Sequence, residues 1–320
     1  MTPASLQAWI RKRAIFLGLA VVQCTPLLVL GWGIGRLCKD HTPTRTLTLL
    51  YALPAPAVAA CCGIWFLRAL NRKPGLLNGW MKAGLAAALI QCLVFDFAWH
   101  IPRDATRQES IRIVNWNLGR VRGGGERLWS ALRSARPDIC LITERPRSDN
   151  VFHPSWVGLP EGDVRTLDEL ILISEFPLSA LTPIPTEAGT AFSCNVHTSQ
   201  GDLLLVAIDF HSHPVQNIKA SMEAILQSIR QDALAGTPII LAGDFNKPRD
   251  SIQLTSLREV FHHAYEERGN GWPYTWPSLL PLWSIDHIWC SEQINIHRYD
   301  LLSLLPSDHA RQTMDFTFNP

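Results

Sequence analysis

Hydrophobic positions divide this chain at about residue 100. Ahead of that point they run in three long, nearly unbroken blocks, roughly Ala14–Ile34, Leu47–Leu67 and Ala83–Trp99. Each is near the ~20 residues that a helix needs to cross about 30 Å of hydrocarbon. Trp80 and Trp99 flank the third block as interfacial aromatics do. A basic start before an apolar run, here Arg11-Lys12-Arg13, is also the pattern of a cleaved signal peptide. Three such blocks in succession, with no small-residue cleavage site after the first, point instead to three transmembrane helices. Pro54 and Pro56 predict a bend in the second helix rather than its loss. Asp96 lies close enough to a helix end to reach the interface, so it is not read as an intramembrane site.

Beyond residue 100 the pattern shortens and repeats. Ile111–Leu118 reads as a strand with Asn115 and Asn117 at its exit, and a glycine turn at Gly123–Gly125 leads to a helix over Glu126–Ala135. The triplet lacks the Lys-Ser/Thr context of a phosphate-binding loop and is read as a turn. Pro137–Glu144 is a buried-type strand that ends in a carboxylate. Leu170–Ser174, Thr190–His197 and Leu203–Pro214 follow, the last two joined by a turn at Gly201-Asp202. A helix over about Val215–Ala233 leads into Pro238–Asn246, and Trp283–Ile288 and Thr313–Phe318 complete the series. The organisation expected is a membrane domain over 1–100, a linker over 101–110 and a catalytic domain over 111–320. Ten linker residues span at most ~35 Å, which keeps the catalytic domain near the bilayer.

Charge sharpens this division. Residues 1–100 carry ten Lys/Arg against two acids, and the remainder nineteen against twenty-six, so a near-neutral total of +1 joins a +8 half to a −7 half. In a three-pass arrangement Arg11, Lys12, Arg13, Arg68, Arg72, Lys73 and Lys82 share one side, and Arg36, Lys39 and Arg45 the other. The positive-inside rule then makes the first side cytoplasmic and the catalytic domain extracytoplasmic, in an integral protein of a bacterial plasma membrane. Five of the eight cysteines lie in or beside the apolar blocks; Cys140, Cys194 and Cys290 are left in the back half, with no zinc-type spacing.

The candidate chemistry lies where the strands end. Asp244 and Asn246, two apart after an apolar run, face the same side of an extended backbone. Each polar residue alone has an ordinary explanation: an Asp-x-Asn turn, a hydrogen-bonded core His211, a paired Asp286, a turn capped by Asp308-His309. Glu144 is harder to explain so, because a carboxylate closing an apolar strand requires a partner or a cation. Recurrence is the stronger signal, since strand ends gathered on one rim are where sites form.

Six pieces, Asn115-Trp-Asn117, Leu141-Ile-Thr-Glu144, Phe210-His211-Ser212, Gly243-Asp-Phe-Asn246, Ile285-Asp-His287 and Ser307-Asp-His309, span about residues 111–318. In type and order they resemble the motifs of the endonuclease/exonuclease/phosphatase superfamily of metal-dependent phosphoesterases. The resemblance implies a four-layer α/β sandwich with the site at one end. It also implies Glu144, Asn117 and Asp308 as metal residues for Mg²⁺ or Mn²⁺ and Asp244 as the group that orients or deprotonates water. Asn246 would hold that water or a phosphate oxygen, and His309 would donate to the phosphate with Asp286 fixing its tautomer. His211 would be a second phosphate-facing or acid/base histidine. Three departures limit what carries over: Thr143 stands where the family has Gln, Glu175 where a turn is often basic, and Asp168-Glu169 where an Asn is frequent.

Membrane helices ahead of such a domain resemble bacterial members of the teicoplanin-resistance type, which implies a phosphoester or pyrophosphate of an envelope lipid as substrate. A nuclease is the alternative. Its affinity for DNA or RNA would come from Lys/Arg on phosphates, and the back half has only two lysines, Lys219 and Lys247, with Arg120, Arg122 and Arg127 as its one local patch. A catalytically silent membrane scaffold is the third reading; it predicts losses among the site residues, and none is lost.

Overall fold

The computed structural model describes residues 13, 24–40, 45–69, 76–100, 109–121, 125–146, 153–213 and 216–319. The chain packs as two compact units, Met1–Asp96 and Phe97–Pro320. In the first, α1 (Cys24–Cys38), α2 (Arg45–Tyr51), α3 (Ala55–Ala69) and α4 (Leu76–Ile90) follow one another, and α4 continues as a π-helical segment over Gln91–Asp96. Val29, Trp32, Val58, Cys62, Trp65 and Met81 form the buried cluster of this unit. Most of the first apolar block, with Arg11 and Lys12, falls outside the described residues.

The second block is broken rather than bent. Pro54 has no N–H to return to the carbonyl four residues back and its ring crowds that carbonyl, so α2 stops at Tyr51. The helix restarts with the Pro54 carbonyl accepting from Ala57 N at 3.1 Å and Val58 N at 3.2 Å. Among the described residues, Gly79–Asp96 is the one helix long and apolar enough to cross a membrane; Cys24–Cys38 and Ala55–Leu67 are shorter apolar helices.

In the second unit twelve strands among the described residues form two six-stranded mixed sheets. In chain order the elements are β1 (Ile111–Asn117), α5 (Gly125–Ala135), β2 (Ile139–Thr143), β3 (Asp163–Leu167), β4 (Leu170–Ser174), β5 (Thr182–Pro183), β6 (Gly189–Thr198) and β7 (Gly201–Phe210). After these come α6 (Lys219–Ser228), α7 (Arg230–Leu234), β8 (Ile239–Asp244), β9 (His262–His263), β10 (Asp286–Cys290), β11 (Ile294–Ser303) and β12 (Ala310–Phe318). The orders are β11-β12-β1-β2-β4-β3 and β5-β6-β7-β8-β10-β9. Each sheet has one parallel pair at its centre, β1/β2 crossed over by α5 and β7/β8 crossed over by α6 and α7; every other pairing is antiparallel.

Side-chain alternation builds the layers. Ile113, Ile139, Leu141 and Leu172 from one sheet meet Leu205, Ala207, Ile240 and Ala242 from the other in a shared core. Their sequence neighbours point outward: Val114, Cys140 and Ile173 pack on Leu128, Trp129 and Leu132 of α5. Val206, Ile208 and Leu241 pack on Met222 and Ile225 of α6. Central strands buried on both faces are apolar at every position, which explains their unbroken runs. The polar edge strands β3 and β11 were not expected from the pattern, because an edge strand with one wet face lacks such a run. The helix expected over Val215–Ala233 is two helices meeting at Ile229.

Gly243, in the strand that delivers Asp244, has φ 141°, and a Cβ there would lie 1.8 Å from the Ile208 carbonyl oxygen. Gly243→Ala therefore forces β7 and β8 apart. We expect a loss of about 3 kcal/mol or more, read as a fall of about 10 °C in the Tm of the catalytic unit by scanning fluorimetry of the detergent-solubilised protein.

Candidate active site

Both sheets contribute to one rim. Asn117 leaves the end of β1, Glu144 follows β2, and Asp308-His309 precede β12; from the facing sheet come Asp209 at the end of β7, Asp244 at the end of β8 and Asp286 at the start of β10. The parallel strands present their C-terminal ends here and the antiparallel ones their beginnings, so the topology collects these six positions. Asp209 and Asp244 are register partners across β7/β8, and Asp244 and Asp286 across β8/β10. Three carboxylates thus stand side by side.

Hydrogen bonds hold the row. Asn117 Nδ2 donates to Asp244 Oδ2 at 2.9 Å, and the Asn246 backbone N donates to Asp244 Oδ1 at 2.8 Å. Asn246 Nδ2 donates to the Phe210 carbonyl at 2.6 Å, which leaves its Oδ1 as the group it can offer, an acceptor for a water. His309 Nδ1 lies 2.9 Å from Asp286 Oδ2, so the ring donates there and turns Nε2 toward the rim. Ser307 Oγ accepts from His309 N at 2.9 Å and donates to the Asn117 carbonyl at 2.6 Å. Trp116 Nε1 donates to the His309 carbonyl at 2.9 Å. The three loop residues Arg120, Glu144 and Asn246 have φ of 49°, 49° and 48°, left-handed values that strain a side-chain-bearing residue and cluster at functional sites.

Burial and like charge set the protonation. Burial pushes the Asp244 carboxyl well above the usual range, Asp286 raises it further, and His309 draws it back. Burial and the neighbouring Glu144 lift Asp209 to about 7. Glu144 is raised by burial, against the pull of Arg120, whose Nη1 is 2.9 Å from Glu144 Oε2. Burial lowers His309, but the Asp286 carboxylate outweighs it and the ring is carried up to about 10. His309 is therefore an imidazolium in this arrangement.

Ligand atoms of Glu144, Asp209 and Asp244 lie within 4.8 Å of one another, as do those of Asp244, Asp286 and His309. The first set is all oxygen, the donor type a hard divalent cation takes. In the second, Asp286 Oδ1 is buried with no hydrogen-bond partner, an orphaned acceptor that a cation or a bound water satisfies. These residues fit a divalent metal.

Of the residues expected from sequence, Asn117, Glu144, Asp244, Asn246, Asp286 and His309 are brought together. Asp308 sits at the exposed mouth, where its Oδ2 accepts from Trp276 Nε1 at 2.9 Å, and it belongs to neither ligand set. A Cβ on Gly119 would lie 2.3 Å from Asp308 Oδ1, so only glycine there lets the carboxylate come so close. His211 is exposed, held by its backbone N to the Ala188 carbonyl at 2.8 Å. Asp209 was not anticipated. The available signal was its parity: it continues the inward-facing series Leu203, Leu205, Ala207 and interrupts it with charge. The departure at Glu169 also finds its explanation, for its Oε2 takes Arg120 Nε at 2.5 Å and so positions the arginine beside Glu144.

Comparison with known proteins agrees with this geometry. The sequence model of the Endonuclease/Exonuclease/phosphatase family matches residues 114–309. The chain belongs to the endonuclease/exonuclease/phosphatase family. It is accordingly a metal-dependent hydrolase of phosphoester bonds. Among solved structures this family member resembles the human Nocturnin catalytic domain, at 19% identity and TM-score 0.53 over 66% of this chain and 95% of that one. A family protein from Bacteroides thetaiotaomicron aligns at 16% and 0.51 over 69% and 100%. Truncated Caenorhabditis elegans TDP2 aligns at 14% and 0.51 over 66% and 98%. At these identities the likeness speaks for the fold. No curated protein sequence matches the chain.

Asp209 supplies one of three clustered carboxylates, and its removal weakens the cation's hold without touching the water or the phosphate. Asp209→Asn should raise the Mg²⁺ concentration for half-maximal activity about tenfold, with a smaller change in kcat at saturating metal, as measured by metal titration of turnover.

Proposed function

We propose that this family member is a membrane-anchored phosphoesterase that hydrolyses a phosphoester or pyrophosphate of an envelope lipid or similar small ester, using Mg²⁺ or Mn²⁺. The observation that carries the reading is where the site sits. A complete hydrolytic constellation stands on a region of net charge −7 with two lysines, which follows directly on the apolar helix Gly79–Asp96. Such a surface repels polyanions, whereas affinity for nucleic acid rests on phosphate neutralisation by Lys/Arg. Three membrane passes and an extracytoplasmic catalytic unit are part of this proposal, supported by the apolar blocks and by the basic residues that flank them. So is the division into a membrane domain over 1–100, a linker over 101–110 and a catalytic domain over 111–320.

The cation, when bound, neutralises charge on the phosphoryl oxygens. Glu144, Asp209 and Asn117 would hold it, with Asp308 at the mouth. The protein's own groups do the rest. Asp244, kept in place by Asn117 and the Asn246 N–H, takes a proton from a water that Asn246 Oδ1 receives. Its raised proton affinity suits a base. His309, protonated and held by Asp286, donates from Nε2 to the phosphate as negative charge builds there. His211, exposed beside the rim, is free to meet the distal part of the ester.

The full-length protein in nanodiscs, supplied with Mg²⁺, should release phosphate from a polyprenyl pyrophosphate or headgroup from a phospholipid, and leave plasmid DNA intact. Asp244→Ala should abolish this turnover. Nicking of DNA without turnover of any lipid would replace the lipid reading with the nuclease, and no metal-dependent activity on any of the three would favour a silent scaffold. Within the active enzyme, His309→Gln should lower kcat about 10³-fold and Asp286→Asn by less, about 10²-fold, because the latter leaves the imidazole present but badly oriented.

A further inference from the structure

The catalytic unit begins at Phe97, one residue after the apolar helix ends. Its first residues are clamped to one turn. Ala98 and Gly271 exchange both backbone hydrogen bonds at 2.9 Å, and Tyr265 Oη donates to the Gly271 carbonyl at 2.5 Å while accepting from Ala98 N at 3.1 Å. His100 N donates to Asn270 Oδ1 at 2.7 Å, and the Phe97 ring meets Trp272 edge-on at 5.1 Å. Two residues separate Asp96 from Ala98, about 8 Å of chain at most. The 270–272 turn is therefore tethered at that short range to the end of the span.

From this turn runs a loop with unusual chemistry. Gly271–Ile285 contains no Asp, Glu, Lys, Arg or His, within a region that is otherwise rich in acids. Its stem is closed by Trp276 and Trp283, which exchange backbone hydrogen bonds at 2.9 Å and stack their rings at 5.3 Å. Its tip exposes Leu279 by 82% and Leu280 by 65%. The stem is bound to the active site: Trp276 Nε1 reaches Asp308 Oδ2, Ser278 N donates to the Asp308 carbonyl at 2.6 Å, and Ala310 N donates to the Thr275 carbonyl at 2.7 Å. Leu305, 61% exposed, is the last apolar residue before Ser307-Asp308-His309.

Single exposed leucines are ordinary on soluble proteins. Here they share a charge-free loop with tryptophans, beside the mouth of the site and next to the end of an apolar helix. Tryptophan and leucine together are what the headgroup boundary of a bilayer accepts. We propose that the Trp272–Trp283 loop and Leu305 form an interfacial platform that seats in the headgroup layer of the bilayer, so that a lipid headgroup phosphate reaches Asp308 and His309 from the membrane side. This deepens the lipid reading above and rests on it for the identity of the substrate, but not for the docking itself.

Two measurements on the full-length protein in vesicles test it. A fluorescent amino acid placed at Leu279 should be quenched by brominated phospholipids at least threefold more strongly than the same probe at Leu234, an exposed leucine of α7. Equal quenching at the two positions would overturn the platform, whatever the substrate. In the second, Leu279→Glu combined with Leu280→Glu should lower turnover of a vesicle-embedded lipid phosphoester at least tenfold. Hydrolysis of soluble bis(p-nitrophenyl) phosphate should stay within twofold. Equal loss on both esters, or no loss on either, would also overturn it. Should no lipid be turned over by the unmodified protein, the quenching result still decides the platform while the lipid reading falls alone.

Discussion

Asp244 and Asp286 stand opposite one another on adjacent strands, both buried, and the rest of the site follows from having to stabilise that pair. Two carboxylates at such range cannot both remain charged without help. The help arrives from the other sheet: Asn117 donates to Asp244, and His309 shares its positive charge with both. Gln312 Nε2 adds a bond to the Asp286 carbonyl at 2.8 Å, and Asn115 Nδ2 in turn donates to Gln312 Oε1 at 2.6 Å. A single sheet has no way to deliver these partners. The sandwich therefore does more than bury apolar area, since its two layers carry complementary halves of one electrostatic arrangement.

A second network regulates the open side of the site. Glu169 at the β3–β4 turn holds Arg120, and Arg120 holds Glu144, so a cation approaching Glu144 meets a carboxylate already oriented by an arginine. The acid that departs from the family pattern thereby acts on the site indirectly, through the arginine. On the opposite side the mouth is lined by uncharged aromatic and leucine side chains whose stem rests on Asp308. One side of the rim is thus managed by ion pairs and the other by apolar surface, a division suited to a substrate with a charged head and an apolar remainder.

Much of this was legible in the residues themselves. The central strands announce themselves because both faces are covered, and their polar exits mark the rim. Six ordered motifs sufficed for the family and for six of the residues that meet there. The pattern determined these features because each is local: a run of apolar positions, a turn, a polar residue at a fixed offset. The helices of the first unit were legible as apolar blocks, although the interruption at Pro54 depended on whether neighbouring chain re-satisfies the freed carbonyls.

Only the tertiary structure decided which carboxylates share space. Asp209 is an isolated acid in an apolar run until β7 is set in register with β8, and Glu169 is a turn residue until Arg120 is folded across to it. Asp308 and His309 are adjacent in sequence but face different surroundings, one in solvent at the mouth and one against Asp286, because a strand's successive side chains diverge. Proton affinities such as the raised values at Asp209 and His309 have no local signature either, since they arise from burial and from charges brought close by pairing distant strands. The sequence by itself determined the elements, the family and the kinds of group at the rim; the pairing of two sheets decided their distances and charges, because electrostatic coupling depends on separation in space and not along the chain.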